Sequence, residues 1–291
     1  MNSDEARTPL DFQWIEEITN VEQRTKTAHE ELTRVQEAAE ELSRVRREGA
    51  EELHRQGMKP ADIGRMLGVT RQRVSTILKG GPPPERAFLG RGPLIIAVGE
   101  KKEADKEHGT PGPAVAAEDL DAYDMLSRLA RDMGLDSSFE TVRPPGLIDT
   151  NRDNLVVICG PRLSPIVGQL LESDRNIGFG RDEHGWYLQD KHQDILFRSP
   201  MDSGTHADFA YLGRLPRLDG QGMFLYIAGI HAVGAPGAVQ WLSGHLRELY
   251  EQVGRTKRFS TIIRANFDPQ TMRIVDSERV TPVYLESGQE A

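Results

Sequence analysis

The chain has 291 residues, 37% hydrophobic and 28% charged, the composition of a soluble globular protein long enough for one large domain or two ordinary ones. Its net charge of −9 argues at first against a nucleic-acid partner, and its single cysteine, Cys159, excludes an internal disulfide and a cysteine-based metal cluster. No apolar run approaches the roughly 20 residues needed to cross a bilayer, and the polar first ten residues lack a signal-peptide pattern, so we expect a cytoplasmic protein without membrane contact.

The N-terminal part of the chain is predicted to be a disordered leader, residues 1–10, followed by helix. From Asp11 to about Gln56 no proline interrupts a sequence rich in Glu, Arg, Gln, Ala and Leu, and a break can occur near Thr19 and Asn20. A heptad-like spacing then places a seam on one side of the helix: Val21, Thr25, Ala28, Leu32, Val35, Ala39 and Leu42, continued less well by Arg46, Gly49 and Leu53. This seam predicts either a homodimeric coiled coil or a supporting helix that packs against its own neighbours.

Two short helices joined by a tight turn are predicted next. The first runs from Lys59 to Leu67, Gly68 and Val69 form the turn, and Thr70 caps a second helix from Arg71 to about Leu78. The two helices share one apolar face: Ile63, Leu67, Val69, Val74, Ile77 and Leu78.

The opposite face of the second helix is polar and basic. Residues 55–79 contain six basic side chains against the single acid Asp62, a local charge of +5, which leaves −14 for the rest of the chain. Within a Debye length of about 8 Å this local charge dominates what a phosphate experiences, so double-stranded DNA becomes the expected partner. The residues predicted to contact DNA are Arg65, Thr70, Arg71, Gln72, Arg73, Ser75, Thr76 and Lys79. The alternative is a helical hairpin whose basic face is only solvated.

This stretch resembles the helix-turn-helix of sigma-factor region 4 and related bacterial regulators. Their pattern A-x-I-G-x-x-L-G-V-[ST]-x-x-x-V is matched by Ala61, Ile63, Gly64, Leu67, Gly68, Val69, Thr70 and Val74. The resemblance implies that the second helix is a recognition helix for DNA.

The clearest boundary in the sequence is Gly80-Gly81-Pro82-Pro83-Pro84, because glycines end the preceding helix and prolines prevent its continuation. We therefore predict a helical DNA-binding domain at 11–80, a linker at 81–93 and an α/β domain at 94–286. The last few residues, from Ser287, are expected to be disordered.

The predicted α/β domain alternates strands and helices. Strands are expected at Leu94–Val98, Asn154–Cys159, Met223–Ala228, Phe259–Ala265 and Met272–Val275, with helices at Ala117–Met133, Ile166–Glu172 and Pro236–Val253. A polar loop is expected from Lys101 to Ala114. Short antiparallel strands inserted in or added to the sheet are expected at Trp186–Leu188, Ile195–Phe197 and Phe209–Leu212. The fold class is thus α/β: an all-helical module with a long coiled-coil-like helix, then a Rossmann-like domain with a mixed sheet.

Two glycine-bearing turns follow buried strands and precede helices in this domain. They would place two helix N-termini at one end of a parallel sheet, an arrangement that favours anions. The predicted ligand residues are Gly160, Pro161, Arg162, Ser164, Gly229, His231 and Gly234. Neither turn matches the G-x-G-x-x-G or Walker pattern, so these residues can instead serve only as tight turns and caps.

Catalytic and metal sites are not predicted. His184, His192 and His206 lie in loops without metal-ligand spacing, and His231 is read first as a buried, hydrogen-bonded residue. Cys159 ends an apolar strand and is interpreted as a small core residue. No cofactor is predicted.

The overall layout resembles actinobacterial sigma-factor-like helix-turn-helix proteins, whose second domain shares motifs similar to VICGP, DFAYLGR and IAGIHAVG in this chain. The expected function is a dimeric transcriptional regulator whose α/β domain senses a small molecule, nucleotide-like or another anion, or a protein partner. One alternative is a nucleotide- or NAD-processing enzyme recruited by its helical domain. Another is a protein-interaction module whose crevice is only structural.

Overall fold

A long helix organises the first of the two compact units into which the chain divides, Met1–Pro84 and Glu85–Ala291. The computed structural model describes residues 12–79, 83, 85–90, 92–102 and 112–286. The predicted leader, the predicted tail from Ser287, most of the predicted loop after Lys102 and all of the glycine–proline connector except Pro83 lie outside the described residues.

The described part of the first unit is helical. It forms α1 (Gln13–Glu16), α2 (Val21–Arg55), α3 (Pro60–Leu67) and α4 (Arg71–Leu78). The predicted long helix is confirmed as α2, whose 35 residues extend about 50 Å at 1.5 Å per residue. The predicted break is confirmed as well, because Asn20 is the N-cap of α2 and its side-chain oxygen accepts a hydrogen bond from the Gln23 N–H at 2.9 Å.

The seam of α2 has two different environments. Near the C-terminal end of α2, Ala50 is buried and Leu53 is partly buried against Ile63, Val74 and Ile77 of α3 and α4. This end of α2 therefore packs against its own neighbouring helices, the second of the two arrangements predicted for the seam. Farther toward the N-terminus, the seam residues Val21, Leu32 and Leu42 are exposed in the single chain.

The turn between α3 and α4 depends on Gly68. This residue ends α3 with a φ of 67°, in the left-handed region that side-chain-bearing residues rarely adopt. The next residue, Val69, returns its N–H to the carbonyl of Gly64 at 2.9 Å. The predicted tight turn is therefore present at the predicted residues.

The second unit has a mixed α/β architecture, as predicted. Its helices are α5 (Arg86–Leu89), α6 (Ala117–Asp132), α7 (Pro165–Glu172) and α8 (Gly234–Val253), with a 3-10 turn at Pro200–Ser203. Its strands are β1 (Leu94–Gly99), β2 (Lys101–Lys102), β3 (Pro113–Ala114), β4 (Ser137–Val142), β5 (Leu155–Ile158), β6 (Ile177–Asp182), β7 (Gly185–Asp190), β8 (Ile195–Arg198), β9 (Ala207–Pro216), β10 (Met223–Gly229), β11 (Arg258–Phe267), β12 (Ile274–Arg279) and β13 (Tyr284–Glu286).

The main sheet of this unit is mixed. Its strand order is β12-β11-β9-β10-β5-β1-β4, and β13 pairs with β11. The strands β4, β1, β5 and β10 are parallel, whereas β9, β11, β12 and β13 pair in antiparallel fashion. One face packs against α5, α6 and α8, and the other against α7 and residues of a smaller sheet. Coverage of both faces explains the continuous apolar runs of the central strands.

The smaller sheet consists of β6, β7 and β8 in antiparallel order. The predicted strands at Trp186–Leu188 and Ile195–Phe197 lie in this separate sheet, whereas Phe209–Leu212 belongs to β9 of the main sheet. The two sheets meet where the rings of Phe197 and Phe209 pack edge to face, 5.2 Å apart.

The second unit begins before the predicted end of the linker 81–93. Helix α5 lies inside that stretch, and its Phe88 and Leu89 are buried in the core. The buried Arg214 of β9 holds this helix: its guanidinium donates to the Phe88 carbonyl at 3.3 Å and lies 4.4 Å from the Phe88 ring centroid. Packing of these side chains places α5 in the compact unit despite the prolines just before it.

Candidate functional site

The first candidate surface is the outward face of α4. Thr70 precedes this helix, and its Oγ1 accepts a hydrogen bond from the Arg73 N–H at 3.2 Å. This cap stabilises the helix start because the first N–H groups of a helix have no partner within it. Val74 and Ile77 are buried in the small core that α2, α3 and α4 form together.

The α4 face, defined as Arg71, Gln72, Arg73, Ser75, Thr76 and Lys79, is exposed except for the half-buried Ser75. Within the described residues, the side chains of Arg71, Arg73 and Lys79 form no hydrogen bond or ion pair, so their donors are free for a partner. The two neighbouring predicted contacts, Thr70 and Arg65, are also exposed, and Arg65 pairs with Asp62. The first turn of α4 therefore offers two guanidinium groups, those of Arg71 and Arg73, two residues apart.

The second candidate site is a cleft at the carboxyl ends of the parallel strands. Residues that follow β1, β5 and β10 line it: Lys101, the turn Cys159–Leu163 and the turn Gly229–Ala232. Asp119 of α6 and the aromatic residues Phe179 and Trp186 of the smaller sheet complete its walls. Its empty volume is about 440 Å³, including space open to solvent.

This cleft lies where the strand order reverses. After β1 the chain passes through α6 to β4 on one side of β1, and it then returns to β5 on the other side. Connections that leave a parallel sheet in opposite directions open a crevice outside the carboxyl ends of the two strands. We call it the switch-point cleft.

The structure brings five of the seven predicted ligand residues to this cleft: Gly160, Pro161, Arg162, Gly229 and His231. Ser164 is not among the lining residues. Its buried Oγ donates to the Gly146 carbonyl at 2.6 Å and accepts from the Val167 N–H at 3.4 Å, so it caps α7 and anchors a neighbouring loop.

The remaining predicted residue, Gly234, has a packing role. A Cβ there would lie 2.6 Å from Oδ2 of Asp208 and 2.7 Å from the Gly229 Cα, so only glycine fits. The buried Asp208 accepts a hydrogen bond from the His231 N–H at 2.9 Å and so braces the turn before α8. Burial raises the pKa of Asp208 to about 6.

His231 is partly exposed rather than buried, with 38% of its side chain accessible. Its Nε2 lies 2.7 Å from Oδ1 of Asp202, which fixes the ring orientation. The prediction that His231 is hydrogen-bonded is confirmed, and the prediction that it is buried is wrong because the turn lies at the rim of the sheet.

Charged side chains of both signs line the switch-point cleft. Asp119 is 8% exposed, and burial raises its pKa to about 6, even though the positive charges of Lys101 and Arg162 favour the ionised form. Burial, reinforced by the charge of Asp119, raises the pKa of the Cys159 thiol to about 12. A thiol with this pKa stays protonated at neutral pH, which agrees with a packing role rather than a nucleophilic one.

Among the lining residues that were not predicted, four carry charged or aromatic side chains: Lys101, Asp119, Phe179 and Trp186. Lys101 comes just after the end of β1 and could have been found by the reasoning that found the turns after β5 and β10. Asp119 lies in the first turn of α6, which follows the same strand. The two aromatic residues carry no such signal, because the smaller sheet reaches the cleft only through the tertiary fold.

Within the described residues, no group of three or more His, Cys, Asp or Glu side chains is placed to hold a metal ion. None of the described helices is both long and apolar enough to span a membrane. The chain matches no protein-family model, and neither a curated protein nor a solved structure is significantly similar to it.

Proposed function

We propose that the protein is a sequence-specific, DNA-binding transcriptional regulator that acts in the cytoplasm. The α4 face carries this proposal: a short capped helix presents Arg71, Gln72 and Arg73 outward, with both guanidinium groups free of partners in the described residues. Arginine side chains in such positions can bind guanine or phosphate through paired donors. The apolar side of the helix is held by α2 and α3, so the α4 face has a rigid support.

The proposal is tested by selecting duplexes from a random library with the full chain and measuring gel retardation against excess competitor DNA. We expect a defined sequence to be enriched, and its affinity to fall linearly on a logarithmic salt scale because bound phosphates release counterions. A library that shows no enrichment over several rounds would exclude sequence-specific binding.

The exposed part of the α2 seam supports a homodimer as the form that binds DNA. Leu32 and Leu42 are 55% and 69% exposed, on a helix rich in intrahelical ion pairs such as Arg44 with Glu48 at 2.7 Å. These pairs keep the polar faces solvated, whereas a second copy would cover the seam. Two recognition helices would then address half-sites one helical turn apart.

Replacement of both Leu32 and Leu42 by glutamine is therefore expected to convert the dimer to a monomer. The substitution removes apolar side chains from the seam while preserving helix propensity. Sedimentation velocity measures the state, and retardation of a paired site should weaken to that of a single half-site. The matched control replaces Leu147 and Leu218, which are 68% and 57% exposed in the second unit. A wild-type chain that sediments as a monomer would contradict the dimer.

The second unit is proposed to act as a Rossmann-like sensor of a small anion or a protein partner. The switch-point cleft supports this role, because such crevices bind ligands in open α/β sheets and Arg162 and Lys101 supply positive charge. Bound effector would then alter DNA binding through a difference in affinity between two states of the protein.

One observation favours a second candidate, an enzyme that processes nucleotides or NAD. Asp119, with its pKa raised to about 6, can transfer a proton near neutral pH, and the hydrogen-bonded His231 lines the same cleft. Incubation of the full chain with nucleotides, followed by product analysis, distinguishes a sensor from an enzyme. A sensor raises its melting temperature without turnover, whereas an enzyme releases product.

A further inference from the structure

One wall of the switch-point cleft is aromatic. In the smaller sheet, Phe179 pairs with Leu188 and Arg181 with Trp186, so Phe179 and Trp186 lie on the same face at diagonal positions. Their ring centroids are 5.8 Å apart at an interplanar angle of 76°. Both rings are only half-buried and line the cleft. They offer apolar aromatic surface that a simple anion would not use.

The cleft also holds charges of both signs. Lys101 and Arg162 can bind a phosphate, whereas the Asp119 carboxylate near them repels a compact anion that fills the same space. An ionised carboxylate accepts hydrogen bonds and donates none. The complementary ligand therefore carries an anionic group at one end and hydroxyl or amino donors elsewhere.

We propose that the switch-point cleft binds a nucleoside phosphate, with the base against Phe179 and Trp186, the phosphate at Arg162 and Lys101, and sugar hydroxyl or base amino groups donating to Asp119. This inference rests on the proposed sensor role of the second unit and specifies its ligand class. The three recognition elements match the three chemical parts of a nucleotide.

The test is calorimetric titration of the full chain with AMP, ATP and GMP, and with ribose 5-phosphate, adenosine and inorganic phosphate. We expect at least one nucleotide to bind at least tenfold more tightly than ribose 5-phosphate or adenosine, because only a nucleotide engages both the aromatic wall and the basic residues. Ribose 5-phosphate binding as tightly as every nucleotide would overturn the assignment, and so would the absence of nucleotide binding.

Two variants separate the contributions. Trp186→Leu is expected to weaken nucleotide binding roughly tenfold or more while leaving ribose 5-phosphate binding unchanged, since the indole is proposed to stack on the base and not to contact the phosphate. Arg162→Gln is expected to weaken both ligands about tenfold or more, because it removes a charged contact to phosphate. The matched controls Trp14→Leu and Arg131→Gln should leave both affinities unchanged. Equal nucleotide affinity in Trp186→Leu and wild type would contradict the aromatic role.

Gel retardation on the same samples distinguishes the two proposals. If DNA binding is retained and no nucleotide binds, the ligand inference fails while the DNA-binding proposal stands. If nucleotides bind and no DNA is selected, the proposed regulator fails and the cleft assignment stands.

Discussion

Alanine at both Arg71 and Arg73 is expected to abolish sequence-specific retardation of the selected DNA. Each lost bidentate contact to a base should reduce binding by about 1–3 kcal/mol, so the two together bring the affinity close to the nonspecific level. The variant should fold normally, because Thr70 caps the Arg73 backbone N–H rather than its side chain, and the core residues Val74 and Ile77 are unchanged. Circular dichroism checks the helix content.

The control for this experiment removes the same charge elsewhere. Arg131 and Arg273 are exposed in the second unit, and their double alanine variant changes the net charge equally. It should retain specific retardation, with at most a small general loss. Lys79→Ala should weaken binding to all sequences alike and reduce the salt slope by about one, as expected for a phosphate contact. Full retention of specificity by the double Arg71 and Arg73 variant would place DNA recognition elsewhere or nowhere on this chain.

The helices of the first unit were predictable because their signals are local. Gly68 ends α3 in a left-handed conformation and Thr70 caps α4, and each depends only on residues within one turn. The role of α2 was less predictable. Whether Leu53 faces a second copy or its own helices depends on where α3 and α4 fold back, and the heptad pattern contains no information on this.

The central strands of the second unit were predictable for a different reason. The strands β1, β5 and β10 are covered on both faces, so their sequences are unbroken apolar runs. Edge strands carry no such pattern. The strand β4 was missed because Ser137–Val142 is largely polar and exposed at the edge of the sheet. Similarly, α5 was assigned to the linker because neighbouring prolines outweighed the buried Phe88 and Leu89.

Some of the residues that line the cleft were predictable from the sequence, and others were not. Glycine turns after apolar strands point to the carboxyl edge of a sheet, which identified Arg162 and His231. The strand order was not predictable, and it is the reversal between β4 and β5 around β1 that brings Lys101 and Asp119 to the same place. Trp186 could not be predicted because it reaches the cleft only through the contact between the smaller sheet and the main sheet. A serine before a helix, such as Ser164, equally suits a cap and a ligand contact, and here it is a cap.

Asparagine at Asp119 is expected to stabilise the second unit at neutral pH. Because burial raises the pKa of Asp119 from 3.8 to about 6, ionisation in the native state is unfavourable by about 3 kcal/mol, an upper bound on the gain in unfolding free energy. A charged group retained at such a cost in a cleft is typical of a functional residue. Asp121→Asn is the matched control, since Asp121 is exposed on the same helix, and it should change little.

The stability difference between Asp119→Asn and wild type should depend on pH. Between pH 3.8 and about 6 the native state binds more protons at Asp119 than the unfolded state, so this residue lowers wild-type stability as the pH rises through that window. The asparagine variant does not titrate there. Its advantage should therefore be absent near pH 3.8, grow through the window and be complete above pH 7. Asp208 titrates in both proteins and cancels in the comparison. Denaturant unfolding at several pH values, followed by tryptophan fluorescence, measures the difference, and an advantage that does not vary with pH would show that the Asp119 charge is not its cause.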